Sequence, residues 1–199
     1  MKVLVVGGTG TIGRAVVAEL SKRHEVVVAG HTQGDLHVDI TDPDSIDALY
    51  RAAGAIDAVI ATTGKVYFGG LLKMGESQYR IGLDDKLMGQ VNLVLIGLKH
   101  VNEGGSFTLT SGVLNQDPIR HGSSAAMVNG ALEGFVKSAA IEMPKGMRIN
   151  VVSPTVLQES LSEYGPYFCG FEAVPAARVA MAFSKSAEGA QTGQVYRVL

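Results

Sequence analysis

Apolar residues along this chain come in short continuous runs that alternate with stretches of helical period. Lys2–Val6 is a nearly unbroken β-branched run and predicts a buried strand. Glycines follow, and Ile12–Lys22 then puts Ile12, Val16, Val17 and Leu20 on one helical face. Glu25–Ala29 predicts a second strand and Leu36–Ile40 a third. Pro43 opens the next helix, with Thr41 or Asp42 as its cap. Proline at the first turn costs little, because its missing N–H would have no partner there. Ile56–Thr62 reads as a fourth strand, Asp84–Val101 as a long helix, Ser106–Thr110 as a fifth strand and Ser123–Met143 as another long helix. Arg148–Val152 is a sixth strand, Pro175–Phe183 a shorter helix and Gln194–Val198 a last strand.

Strands this apolar, separated by helices, predict a mostly parallel seven-stranded sheet with helices on both faces. Right-handed crossovers make such a sheet doubly wound, and its ligands bind beyond the carboxyl ends of the strands near the switch point. No repeat, low-complexity tract or linker divides the chain, so residues 1–199 read as a single domain.

Composition narrows the function classes. Hydrophobic residues make up 46% of the 199 and charged residues 18%, enough for a sizeable core and without the signature of disorder. A formal charge of −2 leaves no electrostatic footprint for nucleic acid or an anionic membrane. Cys169 is the sole cysteine, which rules out an internal disulfide framework and a multi-cysteine metal cluster. The histidines are scattered without Cys or carboxylate at ligand spacing, so no metal site is expected. The first residues read as a strand rather than a signal peptide, and no apolar run reaches the roughly 18 residues that span a bilayer. A cytoplasmic location is the expectation.

The first chemical signal is Gly7-Gly8-Thr9-Gly10-Thr11-Ile12-Gly13 at the end of the first strand. Gly7 and Gly10 let the chain turn and let the N–H groups around Thr9, Thr11 and Ile12 approach a pyrophosphate; Gly13 allows close helix–strand packing. Asp39, followed by Ile40, ends the third strand, where a carboxylate can accept from an adenine amino group; an ordinary capped loop is the alternative. Thr62, Thr63 and Gly64 follow the fourth strand and leave room for a ribose, or form a simple turn. The second strand ends in Gly30-His31-Thr32 with no carboxylate at its tip. An acidic residue there would bind the ribose 2′-hydroxyl of NAD, whereas His31, Thr32 and Arg14 suit a 2′-phosphate. NADP(H) is favoured, with NAD(H) the alternative if Asp35 turns inward.

In this order the motifs resemble the short-chain dehydrogenase/reductase family over nearly the whole chain, which implies a Rossmann-like domain. Gly7, Gly10 and Gly13 match its glycine motif, Asp39-Ile40 its adenine contact, and Ala61–Gly64 its Asn-Asn-Ala-Gly segment. Ser111 stands where the family's catalytic serine sits. Gly130–Phe135 resembles the helix after the active-site lysine, and Arg148–Pro154 the family's strand ending in Pro-Gly, with Pro154 a cofactor-binding candidate and Thr155 in place of the glycine. The resemblance also marks departures. The family's Tyr-x-x-x-Lys falls on Ala125 and Asn129, and its helix asparagine on Lys86. Ser111, Lys86 and Asn129 are therefore the catalytic candidates, with His121, Tyr164 and Tyr167 as other substitutes for the missing proton donor.

Two functions of different class fit these residues. One is an NADP(H)-dependent oxidoreductase acting on a small carbonyl or alcohol substrate with a non-standard site. The other is a catalytically inactive NAD(P)-binding sensor or regulatory protein. The loop Thr155–Phe171 contains Leu157, Leu161, Tyr164, Tyr167, Phe168 and Phe171 and favours an apolar or aromatic carbonyl compound. The resemblance further implies a homodimer or homotetramer paired through the two long helices.

Overall fold

In the computed structural model, which describes all of residues 1–199, seven parallel strands form one sheet. They are β1 (Lys2–Val6), β2 (Glu25–Gly30), β3 (Leu36–His37), β4 (Ile56–Ala61), β5 (Val101–Thr110), β6 (Arg148–Pro154) and β7 (Val195–Val198). Their order is β3-β2-β1-β4-β5-β6-β7, and every pairing is parallel. The chain therefore works outward from β1 in one direction, returns, and continues outward from β4 in the other. The gap between β1 and β4 is the switch point, where the outgoing loops diverge and leave a cleft.

The alternation along β1 sets the two layers. Leu4 and Val6 face a core shared with Ile46, Leu49 and Tyr50 of α2 (Pro43–Ala53), Leu93 of α4 (Gln90–Gly97) and Leu132 of α5 (Ser123–Glu142). Val3 and Val5 face the other way, onto Val16 and Leu20 of α1 (Thr11–Leu20) and Phe183 of α7 (Ala176–Glu188). Period two on a strand buried on both faces gives this arrangement directly. Two shorter helices, α3 (Glu76–Ile81) and α6 (Leu161–Tyr164), lie in the excursions beyond β4 and β6. No helix is long and apolar enough to cross a membrane.

Three elements differ from the sequence expectation, each for a local reason. Strand β3 stops at His37 rather than Ile40, because the Asp39 carboxylate takes the Thr41 N–H at 2.9 Å and turns the chain. Asp42, not Thr41, caps α2 by accepting from the Asp44 N–H. Strand β5 begins at Val101 rather than Ser106, with a register shift opposite Ile56 and Ala58 that carries the extra residues. The long helix expected over Asp84–Val101 ends at Gly97, and before α4 it is π-helical from Gly82 to Gly89. This wider winding is a rare form that recurs at functional sites, and a search for 3.6-residue periodicity does not detect it.

Gln90 joins that helix to the sheet. It is fully buried, donates to the carbonyls of Lys86 and Thr110, and accepts from the Thr110 N–H at 2.8 Å. The end of β5 is thereby held against the π-helical turn. Gln90→Leu leaves both backbone groups of Thr110 without this partner and should cost about 3 kcal/mol. Urea unfolding checks it, through a lowered midpoint at unchanged slope.

Candidate functional site

Two neighbouring clefts open at the carboxyl ends of the strands, and Thr62, Thr63 and Gly64 line both. The larger, about 500 Å³, runs from the glycine loop across the ends of β1 and β2. Its walls gather Gly7, Thr9, Gly10, His31, Thr32, Asp39 and Ile40, residues widely separated in sequence. Gly13 is placed for contact, since a Cβ there would run into the Gly7 carbonyl, and the start of α1 is packed tightly onto the turn after β1. Helix α1 begins at Thr11, and Gly10 at its N-cap offers no side-chain cap. Its first N–H groups have no partner from the helix itself and carry the positive end of its dipole. The end of α1 thus presents donors to an anion without a side chain in the way, which fits a pyrophosphate.

The outer end of the same cleft is polar. The Thr41 hydroxyl and N–H both donate to Asp39, holding its carboxyl below the usual range. The second Asp39 oxygen lies 4.0 Å from His31 Nε2. Arg14 donates to the Thr9 carbonyl at 2.7 Å and is tied to the glycine loop. Asp35 does not turn into the cleft: its carboxylate accepts the Val28 N–H at 2.9 Å, back along β2. Lys65 and Asp85 also line this cleft and were not singled out from sequence; the Lys65 N–H donates to Asp85 at 2.7 Å.

The second cleft, about 260 Å³, brings together Ile12, Lys86, Ser111, Ala125, Asn129 and Pro154. Lys86 comes from the π-helical turn and Asn129 from α5. The Lys86 ammonium donates to Asn129 Oδ1 and to the Ser111 carbonyl, each at 2.9 Å. An ammonium has three N–H groups, so one remains for a ligand. Lys86 as a residue is half-buried, but its charged end sits among neutral acceptors, and desolvation lowers its pKa to about 8. Gly64 makes room for it. At φ +129° a Cβ on Gly64 would stand 2.5 Å from Lys86 Cγ, so a side chain there would displace the lysine.

Ser111 and Asn129 are both buried. The Ser111 hydroxyl donates to Glu133 at 3.2 Å, and Gln116 approaches the same carboxylate at 3.4 Å. The single hydrogen of Ser111 is committed to Glu133, leaving oxygen lone pairs as its free function. Glu133 was missed from sequence although a signal existed: it lies four residues after Asn129, on the same face of a helix. The remaining donor candidates separate from this group. His121, Tyr164 and Tyr167 line a third pocket reached past Phe68, which belongs to both. Burial and the Glu163 carboxylate push the Tyr164 phenol above its usual range, making it a weaker acid.

Because the folded chain releases the Lys86 proton at about pH 8 and a free lysine only near 10.5, the unfolded state holds more protons between these values. Stability contributed by this residue therefore rises with pH across that window. Relative to Lys86→Met, which lacks the titration, the unsubstituted protein should gain up to about 3 kcal/mol between pH 8 and 10.5. Paired urea titrations at pH 7 and pH 10 measure the difference.

Comparison with known proteins gives the same outline. Residues 7–195 match the family described as enoyl-(acyl carrier protein) reductase. The crystal structure of the protein lin1944 from Listeria innocua is 51% identical, with a TM-score of 0.99 and full coverage of both chains. A small-chain dehydrogenase in complex with NADPH is 27% identical at a TM-score of 0.88, over all of this chain and 96% of that one. A short-chain dehydrogenase/reductase of Pestalotiopsis microspora is 26% identical over 179 residues, 77% of this chain and 68% of its own length.

Proposed function

This chain belongs to the short-chain dehydrogenase/reductase family, and on that premise we propose that it is an NADP(H)-dependent oxidoreductase interconverting a carbonyl compound and its alcohol, with Lys86 as the proton donor. The observation that carries the proposal is the Lys86–Asn129 contact. The resemblance puts the family's lysine at Asn129 and its helix asparagine at Lys86, so this chain holds both residue types with their positions exchanged. An ammonium still reaches the cleft, delivered from the facing helix. The relative in complex with NADPH supports the choice of cofactor.

When bound, NADPH supplies the hydrogen and electron pair that the carbonyl carbon receives. The glycine loop and the open end of α1 hold the pyrophosphate, and His31 and Thr32 with Arg14 receive the 2′-phosphate. Thr62, Thr63 and Gly64 border the ribose, with Ile12 and Pro154 flanking the nicotinamide end. Lys86 directs its free N–H at the substrate oxygen, polarises the carbonyl and gives up a proton as the alcohol forms; the amine recovers that proton from solvent. A donor with a pKa near the working pH is effective in this role. Asn129 positions the ammonium. Ser111, with its hydrogen on Glu133, accepts from the product hydroxyl and orients it.

The same reading includes pairing of two copies through α4 and α5, where Leu95 and Ile141 are 51% and 86% exposed. A second function keeps one specific observation in its favour. Ala125, at the position of the family's tyrosine, can transfer no proton, which suits a cofactor-binding sensor.

Fluorescence titration with NADPH and NADH, followed by a carbonyl panel, separates the two readings. Tight NADPH binding with turnover is expected, and tight binding without turnover of any carbonyl would sink the reductase. Reduction should fall about tenfold per pH unit above roughly pH 8, while alcohol oxidation should rise toward the same value. Lys86→Met should lose about 100-fold or more in kcat and retain NADPH affinity. His31→Asp should weaken NADPH binding by about 100-fold with little effect on NADH, because a carboxylate then faces the 2′-phosphate.

A further inference from the structure

The pocket beyond Phe68 has no part in holding the cofactor or moving the proton. It is an open pocket of about 320 Å³ between Phe68, Ile119, His121, Glu163, Tyr164 and Tyr167. Three loops build it: the segment after β4, the turn before α5, and the excursion after β6 that contains α6. His121 ties two of them together. Its backbone is left-handed at φ 67°, a conformation costly for any side chain with a Cβ, and its carbonyl accepts the Gly69 N–H at 3.0 Å. Its ring leans on Tyr167, and Phe68 packs at a tilt on Tyr164, with ring centres 6.2 and 6.1 Å apart.

The lining combines the rings of Phe68, Tyr164 and Tyr167 with the His121 imidazole, and its one acidic group is Glu163. No Lys, Arg or His of the chain forms an ion pair with it. Tyr164 remains a neutral phenol beside it. A carboxylate without a counter-charge, set among aromatic rings, attracts a cation twice, by charge and by the ring quadrupoles. Phe68 is the common wall with the cleft that holds Lys86, so a molecule seated here extends toward the reacting centre.

We propose that this pocket is a specificity subsite that takes the remote end of the substrate and selects an apolar, aromatic-sized group bearing one positive charge. The inference rests on the reductase reading only for what lies beyond Phe68; the selection itself is a matter of binding. Glu163 and Tyr167 act as specificity residues and touch neither the reacting carbon nor the cofactor.

The test uses three aryl ketones that differ at the far end of the ring. They are 4-acetyl-N,N,N-trimethylanilinium, its neutral isostere 4-tert-butylacetophenone, and the anion 4-acetylbenzoate. Binding to the full-length protein saturated with NADP+ is measured calorimetrically, and turnover with NADPH separately. The cation should bind about fivefold to tenfold more tightly than its isostere, and the anion most weakly. Glu163→Gln should erase the preference while leaving the neutral ketone unchanged, and Glu163→Lys should turn it toward 4-acetylbenzoate. Glu163 is exposed, so both variants should keep the wild-type melting temperature. Equal binding of cation and isostere, a preference that survives Glu163→Gln, or no binding of any probe would overturn the subsite. Charge-selective binding without turnover would support the subsite and count against the reductase. Charge-blind binding and turnover would do the reverse.

Discussion

The site is organised around an ammonium enclosed without a carboxylate partner. Lys86 carries its charge into the end of the sheet and meets two neutral oxygens there, the Asn129 amide and the Ser111 carbonyl. A charge so placed is held less firmly than in water, which is why its pKa falls to about 8. Several neighbouring features are conditions for this placement. The π-helical turn brings the lysine into the cleft, Gly64 gives its stem space, and Gln90 locks the turn to the last residue of β5.

The sheet supplies the frame. Strand β1 lies next to β2 on one side and β4 on the other, so the loops leaving its neighbours part above it. The glycine loop, the Thr62–Gly64 turn and the end of β2 meet at that parting, and the two clefts lie side by side with Thr62, Thr63 and Gly64 as their common wall. The cleft at the glycine loop and the cleft that holds Lys86 lie side by side because of a single topological fact rather than as separately built features. The aromatic pocket, which shares Phe68 with the Lys86 cleft, is built on loops, and these can differ between relatives without disturbing the sheet.

Comparison of the chain with its fold separates two kinds of information. The apolar runs that became β1, β4 and β6 were legible because a strand buried on both faces needs little else. The glycine-rich turn was legible because a strand–turn–helix junction restricts which residues fit, whereas the Asp39 carboxylate is taken up by Thr41 in the loop before α2. The length of β3 was not, since the Thr41 N–H could have joined a ladder and instead met a side chain beside it. The π-helical turn was hidden for a related reason: Leu83 and Leu87 keep an ordinary helical spacing while the backbone winds more widely. Glu133 was open to discovery from its spacing to Asn129, but nothing local told that Ser111 would turn its hydrogen toward it.

By itself the sequence determined the parallel α/β architecture and the glycine-rich turn after β1, because these are properties of residue type and order along the chain. Tertiary structure alone decided that Lys86 and Asn129 meet, that Asp35 folds back on β2, and that His121, Tyr164 and Tyr167 line a pocket apart from Lys86. The physical reason is common to all three. Each depends on the distance between side chains carried by different elements, and that distance is set by how the helices and loops pack on the sheet, which no local pattern of residues encodes.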